Sequence, residues 1–409
     1  MSTETTEPVS PSTEGGGGPL AGRLVVDLSR ALAGPHAGMM LGDLGARVIK
    51  VETPGTGDDT RGWGPPFVGP EDDRQATYFL SCNRNKESIA LDLKSDDGRG
   101  VLTELLRRAD VVVENFRPGV LDRLGFSTEA MHALNPGLVI LSITGFGHDG
   151  PEAKRSGYDQ IVQGEAGLMS LTGPDADNPQ RVGVPIADLL SGMYGAYGAV
   201  AALLERERTG KGQVVRTSLL ASVIGVHAFE GTRATVAGQV PRAQGNHHPS
   251  IAPYGLFTCR GGKVQISVGS EKLWATFTAA FGIDAGPGFA TNADRVQHRE
   301  ALIGVIEDAF SAYEAGPLLA KLDGAGIPAG KVRTLDEVYA WDQVHSQGLL
   351  LPVDHPVLGR IELPGPPLRF FDDAGETTPT DHTAPPLLDG DGDAIRAWLA
   401  ETPSGDGRG

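Results

Sequence analysis

Short runs of β-branched and aliphatic residues recur through the first third of the chain, and the stretches between them carry apolar residues at helical spacing. LVVDLS (24–29) and RVIKVE (47–52) have strand length. Between them, PHAGMMLGDLGA sets Pro35 in a first helical turn and brings Met39, Met40 and Leu44 toward one face. SIALDL (88–93) follows, then an amphipathic stretch with Val101, Leu102, Leu105 and Leu106, then VVVEN (111–115). Ser127 is placed to cap a further helix, and LVILSITGFG (138–147) closes the series. Strands alternating with helices make right-handed βαβ units, so this half is expected to be a large Rossmann-like α/β domain on a mostly parallel sheet.

Residues 188–207 read as one long apolar helix, stopped by Thr209-Gly210-Lys211-Gly212. A strand near 214–217 and a helical run, SLLASVIGVHAFEG, come next. From Ala234 to Pro249 the pattern turns polar and irregular, as in a linker. A strand pair (GLFTC and KVQISVG), a helix from Glu271 and another from Arg299 to Tyr313 then predict a smaller α+β domain. The proline-rich stretch from Leu351 to Pro386 is expected to run as extended chain over a surface, before a last helix near 391–401. The expected division is a disordered tail (1–18), a large α/β domain (19–225), a linker with the small domain (226–330), and a C-terminal segment returning to the large domain (331–409).

The 409 residues hold 35 Lys and Arg against 52 Asp and Glu, a net charge of −17. So acidic a chain lacks the basic face that nucleic acid or an anionic membrane requires, though a local basic pocket can still take a small anion. Cys82 and Cys259 are too few for a disulfide framework or a four-cysteine zinc site, and they suit a reducing compartment. No run of about 18 apolar residues marks a spanning helix. The opening MSTETTEPVSPSTEGGGG lacks the basic start and apolar stretch of a secretory signal and the arginines of a transit peptide. A cytoplasmic protein is expected.

The common catalytic templates are missing. Glu52 ends the second strand where a dinucleotide-binding protein places its ribose-binding acid. The glycines there (Gly34, Gly38, Gly42, Gly45) do not form G-x-G-x-x-G, so NAD is not expected. No P-loop, H-E-x-x-H, H-x-E with C-x-x-C, or G-x-S-x-G elbow occurs. The adjacent His247 and His248 put their rings on opposite sides of an extended chain, and no metal is expected. What stands out is Asp188, at the start of the long helix in VGVPIADLLSGMYGAYGAV. An acid there is ordinarily an N-cap. Held ionised by the helix N-terminus, it would also suit a nucleophile. Gly192, Gly195 and Gly198 on that helix let other backbone come close.

With DLGARVIKVETPGTGDDTR (43–61), LSCNRNKESIALDLK (80–94), VENFRPG (113–119), GFGHDGP (145–151), ADLLSG (187–192) and RTGKGQ (208–213) in this order, the chain resembles the family III CoA-transferases from about residue 19 to 400. That family also includes formyl-CoA transferase and α-methylacyl-CoA racemase. The resemblance implies an interlocked homodimer with one large and one small domain, coenzyme A thioesters as substrates, and no tightly bound cofactor. It makes Asp188 the nucleophile that attacks the thioester and passes through anhydride and aspartyl-CoA intermediates. It also favours Asn115, Phe116 and Arg123 as CoA contacts, with Leu80, Asn83 and Lys86 along the ligand and Ala31 and Leu32 as backbone contacts after the first strand. Arg84 and Arg117 could add to a basic cluster for the phosphates.

Two departures from the family pattern bear on the reaction. The racemase branch carries a His-Asp pair where this chain has Tyr158-Asp159, and a phenol titrating near ~10 is a poor acid or base near neutral pH. Glu271 matches a racemase acid but lacks that histidine partner. The glycine loop of formyl-CoA transferase is replaced by GNHHPSIAPYGLF (245–257), so Asn246, His248 or Tyr254 is expected to shape the acceptor pocket, against formate and oxalate. The leading expectation is transfer of CoA from an acyl-CoA, with succinyl-CoA one candidate donor, to a carboxylic acid. An acyl-CoA racemase or epimerase is the alternative, and a CoA-binding scaffold without turnover is a third reading.

Overall fold

A computed structural model describes residues 17–284 and 286–401, so all of the expected disordered tail (1–18) except Gly17 and Gly18 lies outside the described residues. Two compact units form. The first comprises the described residues up to Ala166, Gly183–Gly231 and those from His345 on; the second comprises Gly167–Val182 and Thr232–Val344. Residues 167–182 and 331–344 thus group with the second unit, whereas the sequence placed them in the large domain and the C-terminal segment.

The first unit is built on six parallel strands: β1 (Leu24–Asp27), β2 (Arg47–Glu52), β3 (Lys86–Ala90), β4 (Val111–Glu114), β5 (Val139–Thr144) and β6 (Val214–Ser218). They lie in the order β3-β2-β1-β4-β5-β6. The expected Rossmann-like α/β class is what forms. Val26, Ile49, Val112 and Ile140 are buried on the sheet with Leu102 and Leu105 of the helix Asp96–Arg108. Burial on both faces explains why these strands read as continuous apolar runs. SIALDL starts its strand earlier than expected, because the ladder with β2 runs from Val48 opposite Lys86 to Glu52 opposite Ala90. Strand order reverses between β1 and β4, and the crevice outside their carboxyl ends is where open α/β sheets bind ligands.

Helix α1 (Ala33–Asp43) follows β1, α2 (Asp159–Glu165) follows β5, and α3 (Ile186–Thr209) precedes β6. A Cβ at Gly192 of α3 would lie 2.7 Å from the Ala33 carbonyl oxygen, so only glycine lets α3 approach the first turn of α1. By length and composition α3 could cross a membrane, contrary to the reading that no segment qualifies. Its apolar run is made largely of Ala and Gly, and Ala187, Ser191, Ala196, Ala199 and Leu203 are buried within the unit.

The proline-rich segment is not simply extended. Leu350–His355 and Gly359–Pro364 form an antiparallel hairpin, because Gly359 supplies the positive φ (67°) its turn needs. Beyond it the chain runs along β3: Asn85 N donates to the Thr383 carbonyl (3.1 Å) and Ser88 N to Asp391 Oδ2 (2.8 Å). The final helix, Gly392–Ala400, buries Ile395 in the same core.

The second unit is α+β, as expected. Its three-stranded antiparallel sheet pairs Tyr254–Cys259 with Gly262–Ser267 and the latter with Ala329–Lys331. Helices Glu271–Phe281, Arg299–Phe310 and Ala315–Gly324 cover it around Phe257, Phe277 and Phe310.

Candidate active site

Asp188 is the third residue of α3, not its cap; Pro185 holds the cap position and offers no side chain for it. The free amides at the helix start are met from another element. Asp159, in the first turn of α2, accepts from Ala187 N at 2.8 Å and from Asp188 N at 3.4 Å. Gln163 Nε2 holds the other Asp159 oxygen at 2.7 Å. The N-cap role expected of Asp188 therefore belongs to Asp159. This leaves the half-buried Asp188 carboxyl without a hydrogen-bond donor among the described residues. Nor is it held ionised by the helix. Burial, and then the Asp159 charge, push it up to about 7. At neutral pH such a carboxyl is partly ionised and more nucleophilic than an ordinary carboxylate.

Sequence reasoning missed the groups beside it. The Tyr78 phenol is raised to about 12 by burial and next by the charge of Asp188, so it remains a hydrogen-bond donor at neutral pH. The Tyr78 ring meets Trp63 edge-on at 5.0 Å. Trp63 lies two residues after the GDDTR motif and Tyr78 two residues before LSCNRNKE, so two aromatics flanking singled-out motifs were the available signal. His36, whose ring sits against Gly192, is driven down to about 4 by burial and by the charges of Arg84 and Lys86.

The residues expected along CoA fall into two groups. Around the β1/β4 crevice, Asn115 Oδ1 accepts from Arg30 N (2.9 Å) and its Nδ2 donates to Arg30 O (2.7 Å). The Phe116 amide donates to Glu114 Oε2 (2.8 Å), Leu32 is buried just before α1, and Ala31 takes a left-handed φ of 65°. Arg117 and Arg123 are exposed and form no ion pair among the described residues.

The other group is structural. The buried Lys86 ammonium donates to Asp27 Oδ2 (2.8 Å), Pro35 O (2.8 Å) and Asn83 Oδ1 (2.9 Å), so its three protons are taken. Asn83, fully buried, also donates to Phe79 O, and Leu80 packs on Val353 and Leu363. Arg84 is spent on Asp43 (2.8 and 2.5 Å) and the Pro364 carbonyl. Lys86 is thus not available as a phosphate ligand, because its three protons all end on buried acceptors, and Arg84 is buried with its charge paired to Asp43. Lys50 joins the same network through Asp58 (2.9 Å), and Lys86 and Lys50 hold the Asp27 carboxyl down to about 2 against its burial. Glu52 grips Arg61 (2.6 Å) and Ser88 (2.6 Å), which removes it as a ribose acceptor.

Tyr158 is 64% exposed at the start of α2. In the second unit, His248 stacks on Tyr254 (5.2 Å between rings) and accepts from Ser250 N, while Asn246 is exposed with its backbone against Gly255. Glu271 is bound by Arg295 (2.9 and 3.1 Å) and by Asn292 N, and Arg295 holds it below the usual carboxylate range. That pairing ties down a helix start and opposes a role as base. No group of three or more His, Cys, Asp or Glu among the described residues could hold a metal ion.

An open parallel sheet together with a carboxyl that has no hydrogen-bond donor among the described residues, and whose charge is felt by the Tyr78 phenol, is an arrangement for covalent chemistry on a carbonyl. The chain matches the model of CoA-transferase family III over residues 20–392 and belongs to that family. It is similar to the succinyl-CoA:glutarate CoA-transferase of Homo sapiens (39% identity, spanning 86% of this chain and 80% of that protein). It is also similar to the acetyl-CoA:oxalate CoA-transferase of Acetobacter aceti (38%, 97% and 98%). Among solved structures, a CAIB/BAIF family protein from Brucella suis superposes with a TM-score of 0.83 at 41% identity, covering 94% of this chain and 100% of that one.

Proposed function

We propose that this chain moves CoA from succinyl-CoA to a carboxylic acid, with Asp188 as the nucleophile. The observation that carries this is the Asp188 carboxyl, left without a donor by Asp159 and titrating near neutrality. The ionised carboxylate attacks the thioester carbonyl; the C–S bond breaks, CoA leaves as thiolate and an acyl-aspartyl anhydride remains. The thiolate then attacks the aspartyl carbonyl, forming aspartyl-CoA and releasing the donor acid as carboxylate. The acceptor carboxylate repeats both steps in reverse, and Asp188 is regenerated. One thioester replaces another, so no external energy source enters. Holding the thiolate beside the anhydride supplies a high effective concentration. Tyr78, protonated at neutral pH and sensitive to the Asp188 charge, is suited to donate to the oxyanion formed in each step.

The relatives' names support succinyl-CoA as donor and a dicarboxylate as acceptor: glutarate, mesaconate and citramalate each appear in them. The relative named for oxalate matches as well, so oxalate belongs in the acceptor panel despite the replaced glycine loop. Racemisation is disfavoured because Asp159 is committed to the α3 amides and Glu271 to Arg295.

A homodimer of the interlocked kind fits the apolar surface left on the first unit, where Tyr197, Leu204, Ile224 and Phe229 are 49–74% exposed. Incubation with succinyl-CoA and a panel of dicarboxylates, read as acyl-CoA products by mass spectrometry, tests the reaction. Absence of any new acyl-CoA overturns it.

A further inference from the structure

We infer that Arg30 receives a phosphate of the thioester's nucleotide and thereby makes the enzyme favour CoA over a bare pantetheine arm. This rests on the CoA-transferase reading above and assigns a residue outside every motif of the resemblance. Arg30 lies past the end of β1, beside the reversal of strand order. Its main chain is held on both sides by Asn115, and its Nη2 donates to Thr53 Oγ1 at 3.1 Å. The guanidinium carbon stands 5.7 Å from the centre of the Phe116 ring. The loops after β1, β2 and β4 therefore converge on one exposed cation.

That cation has no carboxylate. Among the described residues Arg30 forms no ion pair, while Arg47, Arg61 and Arg84 of the same unit are each bound to an acid. In a chain of net charge −17, a guanidinium fixed in place with no counter-ion is an anion receptor. One N–H is used on Thr53, which leaves four of the usual five for a forked grip on phosphate. The next residue, Ala31, is kept at its positive φ with its amide on Asp58 Oδ1 (3.2 Å). A non-glycine in that conformation persists only where the surroundings over-determine it, so the loop presents Arg30 in a set position.

The test is equilibrium titration of CoA and of pantetheine into wild type, Arg30→Ala and Arg30→Lys, with thermal melting to confirm that each variant folds. Arg30→Ala is expected to weaken CoA at least about tenfold and pantetheine less than about twofold. Arg30→Lys should recover part of the loss, since it keeps the charge but not the fork. Equal weakening of both ligands, or tight CoA binding unchanged in Arg30→Ala, overturns the assignment and leaves the transferase reading standing. Wild type that binds neither ligand overturns both. Repeating the titration with CoA lacking its 3′-phosphate identifies the phosphate: a loss that persists supports the pyrophosphate, and one that vanishes supports the 3′-phosphate.

Discussion

Asp159 caps the helix that carries Asp188, accepting from the Ala187 amide at 2.8 Å while its own charge helps raise the Asp188 carboxyl to about 7. One acid thus satisfies the helix start and tunes the other. In Asp159→Asn the amide oxygen can still accept from Ala187, and Gln163 can turn its own amide to match, but the charge is gone. Burial is the larger cause of the raised value, so the shift should be partial. The pH midpoint of kcat is expected to fall by up to about one unit. A midpoint that stays at about 7, with activity retained, would show that Asp159 acts only as a cap.

Asp188→Asn should abolish transfer, by about 10³-fold or more, because a carboxamide does not attack a thioester. Wild type incubated with acyl-CoA and then hydroxylamine should carry a hydroxamate at Asp188, found by peptide mass spectrometry. Labelling only elsewhere would remove Asp188 as nucleophile.

The same substitution has a consequence for stability. Because the folded state raises this carboxyl above its unfolded value, it binds a proton more tightly than the unfolded chain does between about pH 4 and 7. Stability is fully present below the unfolded value and is lost as pH rises to about 7. Asp188→Asn should therefore melt higher than wild type at pH 8, by roughly 2–4 °C, and match it at pH 4. Equal melting points at both pH values would mean that Asp188 titrates as an ordinary surface carboxylate.

Arg123→Ala should raise the acyl-CoA KM about tenfold, from loss of roughly 1.5–3 kcal/mol in a charge-assisted bond, and change the acceptor KM much less. Lys86→Met should behave differently. Removing the cation leaves Asp27 buried and short of a partner, at a cost of about 3–5 kcal/mol in folding stability. Denaturant titration reads this directly. A Lys86→Met protein of normal stability with a raised CoA KM would restore the phosphate role that the buried network argues against.

Tyr158→Phe should retain transfer within about tenfold, the scale of one neutral hydrogen bond at an exposed side chain. Wild type held with (2S)-methylacyl-CoA in D₂O should show no enzyme-dependent α-deuteration. Rapid deuteration lost in the Phe variant would move the chain to the racemase branch.

The parallel sheet, the long helix through Asp188 and the second α+β unit were all legible in the sequence, because apolar periodicity is set by local geometry and by which faces are buried. The ordered motifs carried the family, and they named Asp188. What Asp188 is, chemically, was not legible. A cap supplied by Asp159 from a different helix has no local signature, and neither does the burial that raises the Asp188 carboxyl instead of keeping it ionised. Lys86 shows the same limit. In sequence it is a cation in a ligand-binding motif, and only tertiary packing surrounds it with Asp27, Pro35 and Asn83. Arg30 is the converse, unremarked in sequence and made significant by Asn115 and Thr53, which arrive from two other strand ends. A side chain's type and its place on a strand or helix follow from neighbours in the chain; its charge state and partners follow from residues distant in sequence, which only the folded sheet brings together.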